Sequence, residues 1–500
     1  MTLDELDELK SRFDEGAGAR KERLLDGLAR KRFRDAASLI RFHEILLFLR
    51  AYPQNRRVLA KTVGILGGFR GRVEALKRAG VELQPFEETD VSGIAGTGLT
   101  ALFSYPIARH LASRHHNQVH IDWDGYQGEA RLVAALSRVL PLFGEDALVE
   151  ANIPYREWLD SAGARGKAEL PWLLRAFEGS PEVYDSLALF LRWELGDSAA
   201  TRTRMRLPGG KVFYHREPLI RRSEVSIEKE MAREPIPLVK ISAEEGAAML
   251  DVARDTSAMR YRELHGFSYG DPARMLRAEL GRGVTAYLCG VPPEQRLPLR
   301  AYHAAMFFKN GVPIGYFEGL SLCERMEVGF NLYYTFREGE TAWLYARLLH
   351  LVRQWLGVTC YAVDTYQIGR HNEEAIESGA FWFYRKLGFR PVGAEQARLA
   401  AAEERKIAAR PGYRAPARVL RRLAESAMIY ESPGSPVGEW DRFEVRKVGF
   451  AVARSGGSVG GLVPGLKRVL RFKGAPEEAE YLRELQRNPR VRAALIRLGS

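Results

Sequence analysis

Apolar positions near the start of the chain recur at helical spacing: Leu3, Leu6, Leu9 and Phe13 fall on one stripe, and Thr2 with Glu5 forms a capping box in front of it. A longer apolar helix is expected over Asp35–Ala51, ending at Tyr52-Pro53. A further one is expected over Asn55–Ala79, with Gly80 as its C-cap. Between 86 and 220 helical patterns mix with short strands. Val119–Asp124 alternates like a strand, and the glycine-rich Ser92–Gly98 precedes what reads as an apolar helix. Residues 206–230, with Pro208-Gly209-Gly210 and a charged stretch, read as a connector.

From about 235 the period changes. Ile236–Ile241 reads as a strand, Ala243 to about Leu264 as a helix, and Thr285–Cys289 as a strand. Tyr302–Phe308 and Ile314–Leu320 flank Asn310-Gly311, the signature of a hairpin. A strand over Met326–Phe336, an amphipathic helix over Thr341–Leu356, a strand over Val358–Asp364, a helix over Ser378–Leu387 and a strand from Phe389 to Val392 complete the series. The order ββ-β-α-β-α-β is that of a mixed α/β layer. The tail begins near Gly393 with a helical stretch, Ser455–Gly461 reads as a flexible Gly/Ser linker, and one or two short helices end the chain.

Composition adds little to the fold but something to the partners. The 500 residues are too many for one core. The N-terminus lacks the apolar core of a signal peptide, and no run is long and apolar enough to span a bilayer. Cys289, Cys323 and Cys360 are too few and too scattered for a disulfide framework or a zinc pattern, so a reduced cytoplasmic setting is expected. The net charge is +12, and residues 401–500 alone hold twenty Lys+Arg against eleven Asp+Glu. That bias suits anionic partners, nucleic acid or tRNA among them, although a solvated basic surface explains it as well.

Tyr384-Arg385-Lys386-Leu387-Gly388-Phe389 resembles the Tyr-x-Lys-Leu-Gly-Phe signature that closes the last helix of many enzymes of the Gcn5-related N-acetyltransferase (GNAT) superfamily, and Ala380 matches their spacing. The resemblance covers roughly 300–392 and extends more weakly back to 236. It implies an α/β, mixed-sheet GNAT-like acyl-CoA N-acyltransferase fold in which Met326–Phe336 and Val358–Asp364 are parallel strands that splay apart around a thioester cofactor. It implies acetyl-CoA or another acyl-CoA as co-substrate and an amine as acceptor. Glu327 would be the base and Tyr384 the proton donor to the leaving thiolate. A solvent-facing strand residue and a core tyrosine are the plainer readings of the two. The family's pyrophosphate loop, Arg/Gln-x-x-Gly-x-Gly/Ala, is matched at Arg337 and Ala342, with Gly339 one place early and Glu340 at the glycine position. Thr341 opens the helix behind that loop, and Asn372 stands nearest to the family's asparagine.

The expected organisation is a mainly helical domain over 1–220, a GNAT-like domain over 236–392 and a basic C-terminal extension over 393–500. Two rivals stand beside N-acyl transfer: an aminoacyl-tRNA-dependent transferase of the Fem type, and a non-catalytic binding or regulatory protein. Outside this region, Ser92–Gly98 with Asp122 has the residue types of a nucleotide site, and a turn before a helix explains it better. Arg260, Arg262 and His265 fall where acceptor-binding helices lie in the family. His110, His115, His116, His120, Asp122 and Asp124 crowd one region without ligand spacing, and no metal is assigned.

Overall fold

A computed structural model describes residues 2–150, 155–162 and 166–500. Two compact units share the chain, the first formed by residues 1–218, 247–269 and 309–313, the second by 219–246, 270–308 and 314–500. This division differs from the three expected segments. Much of the helix Ala243–Met259 belongs to the first unit, and the whole basic tail belongs to the second.

The first unit opens with helices Leu3–Lys10, Ala17–Arg30, Ala36–Ala51, Arg56–Gly67 and Phe69–Arg78. Three of these starts are set by side chains that accept otherwise orphaned N–H groups: Thr2 from Glu5, Asp35 from Ser38 and Asn55 from Val58. The helix expected over Asn55–Ala79 is two helices, broken at Gly68. A small antiparallel sheet follows, made of β1 (Gly98–Leu102), β2 (Val119–Ile121) and β3 (Phe190–Glu194) in the order β1-β3-β2. Trp193, central in β3 and fully buried, lies opposite both Leu99 and Val119. Ser92–Gly98 leads into this sheet and not into a helix. The buried Ser92 hydroxyl donates to the Met259 carbonyl, a structural use of that residue.

The second unit is built on a nine-stranded mixed sheet. Its strands are β4 (Leu238–Lys240), β5 (Met275–Gly281), β6 (Val284–Cys289), β7 (Ala301–Lys309), β8 (Val312–Leu322), β9 (Arg325–Leu332), β10 (Cys360–Val363), β11 (Arg390–Pro391) and β12 (Met428–Glu431). Their order is β11-β12-β10-β9-β8-β7-β6-β5-β4. The helix Thr341–Leu356 crosses over between β9 and β10 and closes at Gly357, whose φ of 68° suits a residue without a Cβ. It buries Tyr345 against Phe330 of β9, ring centroids 5.1 Å apart.

Several expected boundaries shift. The strand placed over Met326–Phe336 ends at Leu332, and Tyr334–Phe336 is a 3-10 turn. The helix expected over Ser378–Leu387 is Ala380–Lys386, and a separate helix, Glu373–Ser378, precedes it across Gly379 (φ 68°). The tail is not an appended extension, because β12 sits inside the main sheet between β10 and β11. Every residue of β10 is buried, so its backbone needs a partner on both sides. The expected Gly/Ser linker is structured as well. Residues 455–461 form tight turns, with the Gly457 N–H bonded to Val452 O at 3.0 Å and the Ser458 hydroxyl accepting from Gly461 N at 3.3 Å. Among the described residues no helix is long and apolar enough to cross a membrane.

Candidate functional site

β9 and β10 run parallel and pair only as Cys360↔Arg325, Tyr361↔Met326 and Ala362↔Glu327. On its other side β9 stays paired with β8 as far as Gly315↔Leu332. Among the described residues β9 therefore has a strand partner on one side only from Val328 onward, and the chain after β10 turns off through Tyr366–Ile368. Gln367 lies at this parting. A Cβ on Gly329 would stand 3.6 Å from Gln367 Nε2 and 3.7 Å from Glu318 Cβ. The Tyr384 hydroxyl donates to Gln367 Oε1 over a long 3.4 Å.

Alternation along β9 assigns its faces. Met326 and Val328 are fully buried on the face where Phe330 meets Tyr345. Tyr384 packs on that same Tyr345, 5.6 Å between centroids, and also on Phe389. Burial pushes the Tyr384 phenol well above its ordinary range, so it stays protonated and serves as a hydrogen-bond donor more readily than as an acid. Glu327, Gly329 and Asn331 point to the opposite face. Glu327 and Tyr384 thus belong to different faces of β9, and Gln367, at the parting of β9 and β10, is the residue that both Gly329 and Tyr384 approach.

The Glu327 face is polar. Arg300 and Arg325 each donate to one Glu327 oxygen at 2.9 Å. Asn331 donates to the Tyr316 hydroxyl at 3.3 Å, and the Tyr302 hydroxyl donates to Glu318 at 2.5 Å. Glu318 sits opposite Gly329 in the β8–β9 register, on the same face as Glu327. Both Glu327 oxygens are already engaged, so any substrate proton competes with two guanidinium groups there. Glu318, Gln367, Arg300 and Arg325 were missed in the sequence. The hairpin register Glu318↔Gly329 was the one signal that could have drawn attention to Glu318.

The loop before the Thr341 helix is held by its own contacts. Arg337 donates to Leu332 O at 3.2 Å and pairs with Glu374 at 2.5 Å. The Gly339 N–H bonds Phe336 O at 2.9 Å, the Thr341 hydroxyl bonds Arg337 O at 3.0 Å, and Ala342 is buried. Glu340 is buried too. It pairs with Arg282 at 2.6 Å and accepts from Ile220 N at 3.2 Å, so its charge is compensated inside the protein. Asn372 is the N-cap of Glu373–Ser378, accepting from Ala375 N and donating to Tyr366 O. Its amide is spent on local structure. In the tail, Lys467, Arg468 and Arg471 are exposed. Lys473 departs from the expected solvent-facing patch, since it pairs with Glu478 at 2.7 Å and lies 4.1 Å from the Tyr481 ring centre.

A second constellation lies in the first unit. His110, in the last turns of helix Tyr105–Arg114, and His115, its C-cap, direct Nε2 atoms at one oxygen of Asp255, at 2.8 and 2.9 Å. The three side chains are 7%, 8% and 5% exposed. Burial drives the Asp255 carboxyl up, but the two imidazole hydrogen bonds outweigh it and hold the group below its ordinary value. The other residues of the histidine-rich region do not join them: β2 ends at Ile121, and Asp122 accepts from Asp124 N as a local turn. Arg260, Arg262 and His265 also fall in the first unit, and Arg260 is buried.

Comparison with protein-family models, with curated proteins and with solved structures finds no match in any of the three.

Proposed function

We propose that the second unit is an N-acyltransferase module of GNAT type that moves an acyl group from acyl-CoA to an amine. The observation that carries this reading is the strand edge at Val328–Leu332, open on the β10 side within an otherwise continuous sheet. An extended pantetheine chain carries amides and can add to such an edge as a strand does. The helix that follows, Thr341–Leu356, offers first-turn N–H groups and the positive end of its dipole to a pyrophosphate. Arg337 and Glu374, 33% and 46% exposed, would exchange one partner for a phosphate at small cost, since exposed pairs are worth about 0–1 kcal/mol.

In the reaction the amine nitrogen attacks the thioester carbon, the C–S bond breaks, and the amine proton passes to a carboxylate. Glu318 lies opposite Gly329 on the neighbouring β8 and accepts from the neutral Tyr302 hydroxyl, so it fits that role better than Glu327, whose two oxygens each accept from a charged arginine. The neutral Tyr384 phenol, whose hydroxyl reaches the parting of the strands at Gln367, exchanges that long hydrogen bond for one to the departing thiolate.

The Fem-type rival keeps support from the exposed Lys467, Arg468 and Arg471 and from the filled, glycine-poor loop around Glu340. Calorimetry on the full chain with acetyl-CoA, a long-chain acyl-CoA and bulk tRNA decides between them. The acyltransferase reading expects saturable acyl-CoA binding and amine-dependent release of free CoA thiol. Absence of binding to both thioesters would overturn it, and tRNA binding that weakens steeply with salt would then favour the Fem-type reading.

A further inference from the structure

Among the described residues, His110, His115 and Asp255 form a group of ligand-type side chains whose donor atoms all lie within 4.8 Å of one another. We propose that these three residues, two imidazoles and one carboxylate, bind a divalent first-row transition metal in the first unit, independently of the acyltransferase reading. Two histidines and one carboxylate are a donor set suited to zinc, iron(II), cobalt(II) or manganese(II).

The geometry comes from two helices. His110 and His115 are five positions apart, which would not bring them together on an unbroken helix. The helix Tyr105–Arg114 ends between them, and the backbone at His115 (φ −122°) turns its ring back toward Asp255. The third donor comes from the helix Ala243–Met259, far away in sequence. Metal bonds of about 2.0–2.2 Å to nitrogen and oxygen separate neighbouring donors by roughly 3 Å. The observed contacts of 2.8 and 2.9 Å to Asp255 are close to that spacing already.

The surroundings are also those of a ligand site. Asp251, one turn before Asp255, has an oxygen 3.7 Å from His110 Nδ1, the nitrogen that would carry the proton once Nε2 is a ligand. Arg114 pairs with Asp251 at 2.7 Å and lies 3.9 Å from the Asp255 oxygen that the histidines do not use, so its charge is shared between the two carboxylates and a bound ion would have to share Asp255 with it. His115 is fixed by Trp193, 4.8 Å between ring centroids. Three protein donors leave a coordination position for water or a substrate atom.

The test uses the full chain, stripped with a chelator and titrated with Co²⁺ and Zn²⁺. Expected results are one Co²⁺ per chain, visible d–d absorption, displacement by Zn²⁺ and a rise in melting temperature with either ion. H115Q and D255N should each lose the absorption and weaken binding at least tenfold. H116Q and H120Q should keep both. Wild type without a Co²⁺ spectrum, or H115Q and D255N with wild-type binding, overturns the proposal. If those variants fail to fold, imidazole NMR signals of the wild type decide it: Zn²⁺ must shift two histidines, and a titration that shifts none refutes the site.

Discussion

The carboxylate of Glu340 lies 2.6 Å from the guanidinium of Arg282, with the glutamate side chain 2% exposed and the arginine 22%. This pair changes what Glu340 means in the loop that should face a cofactor phosphate. A glutamate there suggests repulsion, yet the side chain turns inward, and its second role is to accept from Ile220 N. Replacing it takes the carboxylate from a largely buried arginine and the acceptor from a backbone N–H. E340G or E340Q should therefore lower unfolding free energy by about 1–3 kcal/mol, less than for a fully buried pair because Arg282 keeps some solvent. Urea unfolding of the variants measures this. An unchanged midpoint would show that the pair is not formed in solution.

Acid should destabilise each unit through one imidazole. His43 is fully buried, and desolvation first of all, aided by nearby Arg202 and Arg50 against the opposing pull of Glu44, pushes its pKa down from 6.5 to about 4. His303, also buried, is pushed to about 3 for the same leading reason, with Lys473 and Arg296 adding to it. A base with a depressed folded pKa binds its proton more readily when unfolded. Stability is thus fully present above pH 6.5 and falls as pH drops toward 4 and then 3, by up to about 1.4 kcal/mol per pH unit for each histidine. Unfolding midpoints at pH 7 and pH 5 should differ in wild type, and H43Q should reduce the difference. A midpoint independent of pH across that interval would contradict both burials.

The β9–helix–β10 unit was legible because its apolar runs are local and a crossover joins adjacent parallel strands. Much of the rest depends on partners distant in sequence. β12 is four residues long and was hidden in a helical tail, yet β10 requires it. Asp255 completes the histidine pair from 140 residues beyond His115, a juxtaposition that no spacing rule along the chain reveals. The engagement of Glu327 by Arg300 and Arg325 is equally invisible, since arginines are abundant and only the sheet decides which of them reach it. Asn372 shows the converse: its type and rough position suggested a ligand contact, whereas its place at a helix start made it a cap.

If acyl transfer is the activity, the two carboxylates on the polar face should separate in their effects. E318Q should lower turnover by about 10²–10⁴-fold, the range for loss of a general base, with acyl-CoA binding largely kept. E327Q should act mainly on stability, because it weakens contacts with Arg300 and Arg325. Single-turnover release of CoA at saturating acetyl-CoA reads the first, and urea unfolding reads the second. A turnover loss confined to E327Q would return the base to Glu327.

The open edge of β9 gives the sharpest test, through Gly329. A Cβ at this position meets its nearest heavy atom at 3.5 Å, an ordinary contact, so G329A should fold with stability close to wild type. Gly315, on the neighbouring β8, is the contrasting case: a Cβ there would clash with the backbone oxygen of Asn331, so G315A should be strongly destabilised. The difference separates packing from binding. A longer side chain at 329 grows toward Gln367 and Glu318, into the parting of β9 and β10, where the proposed pantetheine edge begins. G329L should weaken acetyl-CoA binding at least tenfold, about 1.4 kcal/mol, while its unfolding midpoint moves much less than that of G315A. Calorimetry and urea unfolding on the three variants give both numbers. If G329L binds acetyl-CoA as wild type does, the cofactor does not use this edge, and the acyltransferase reading loses the observation on which it stands.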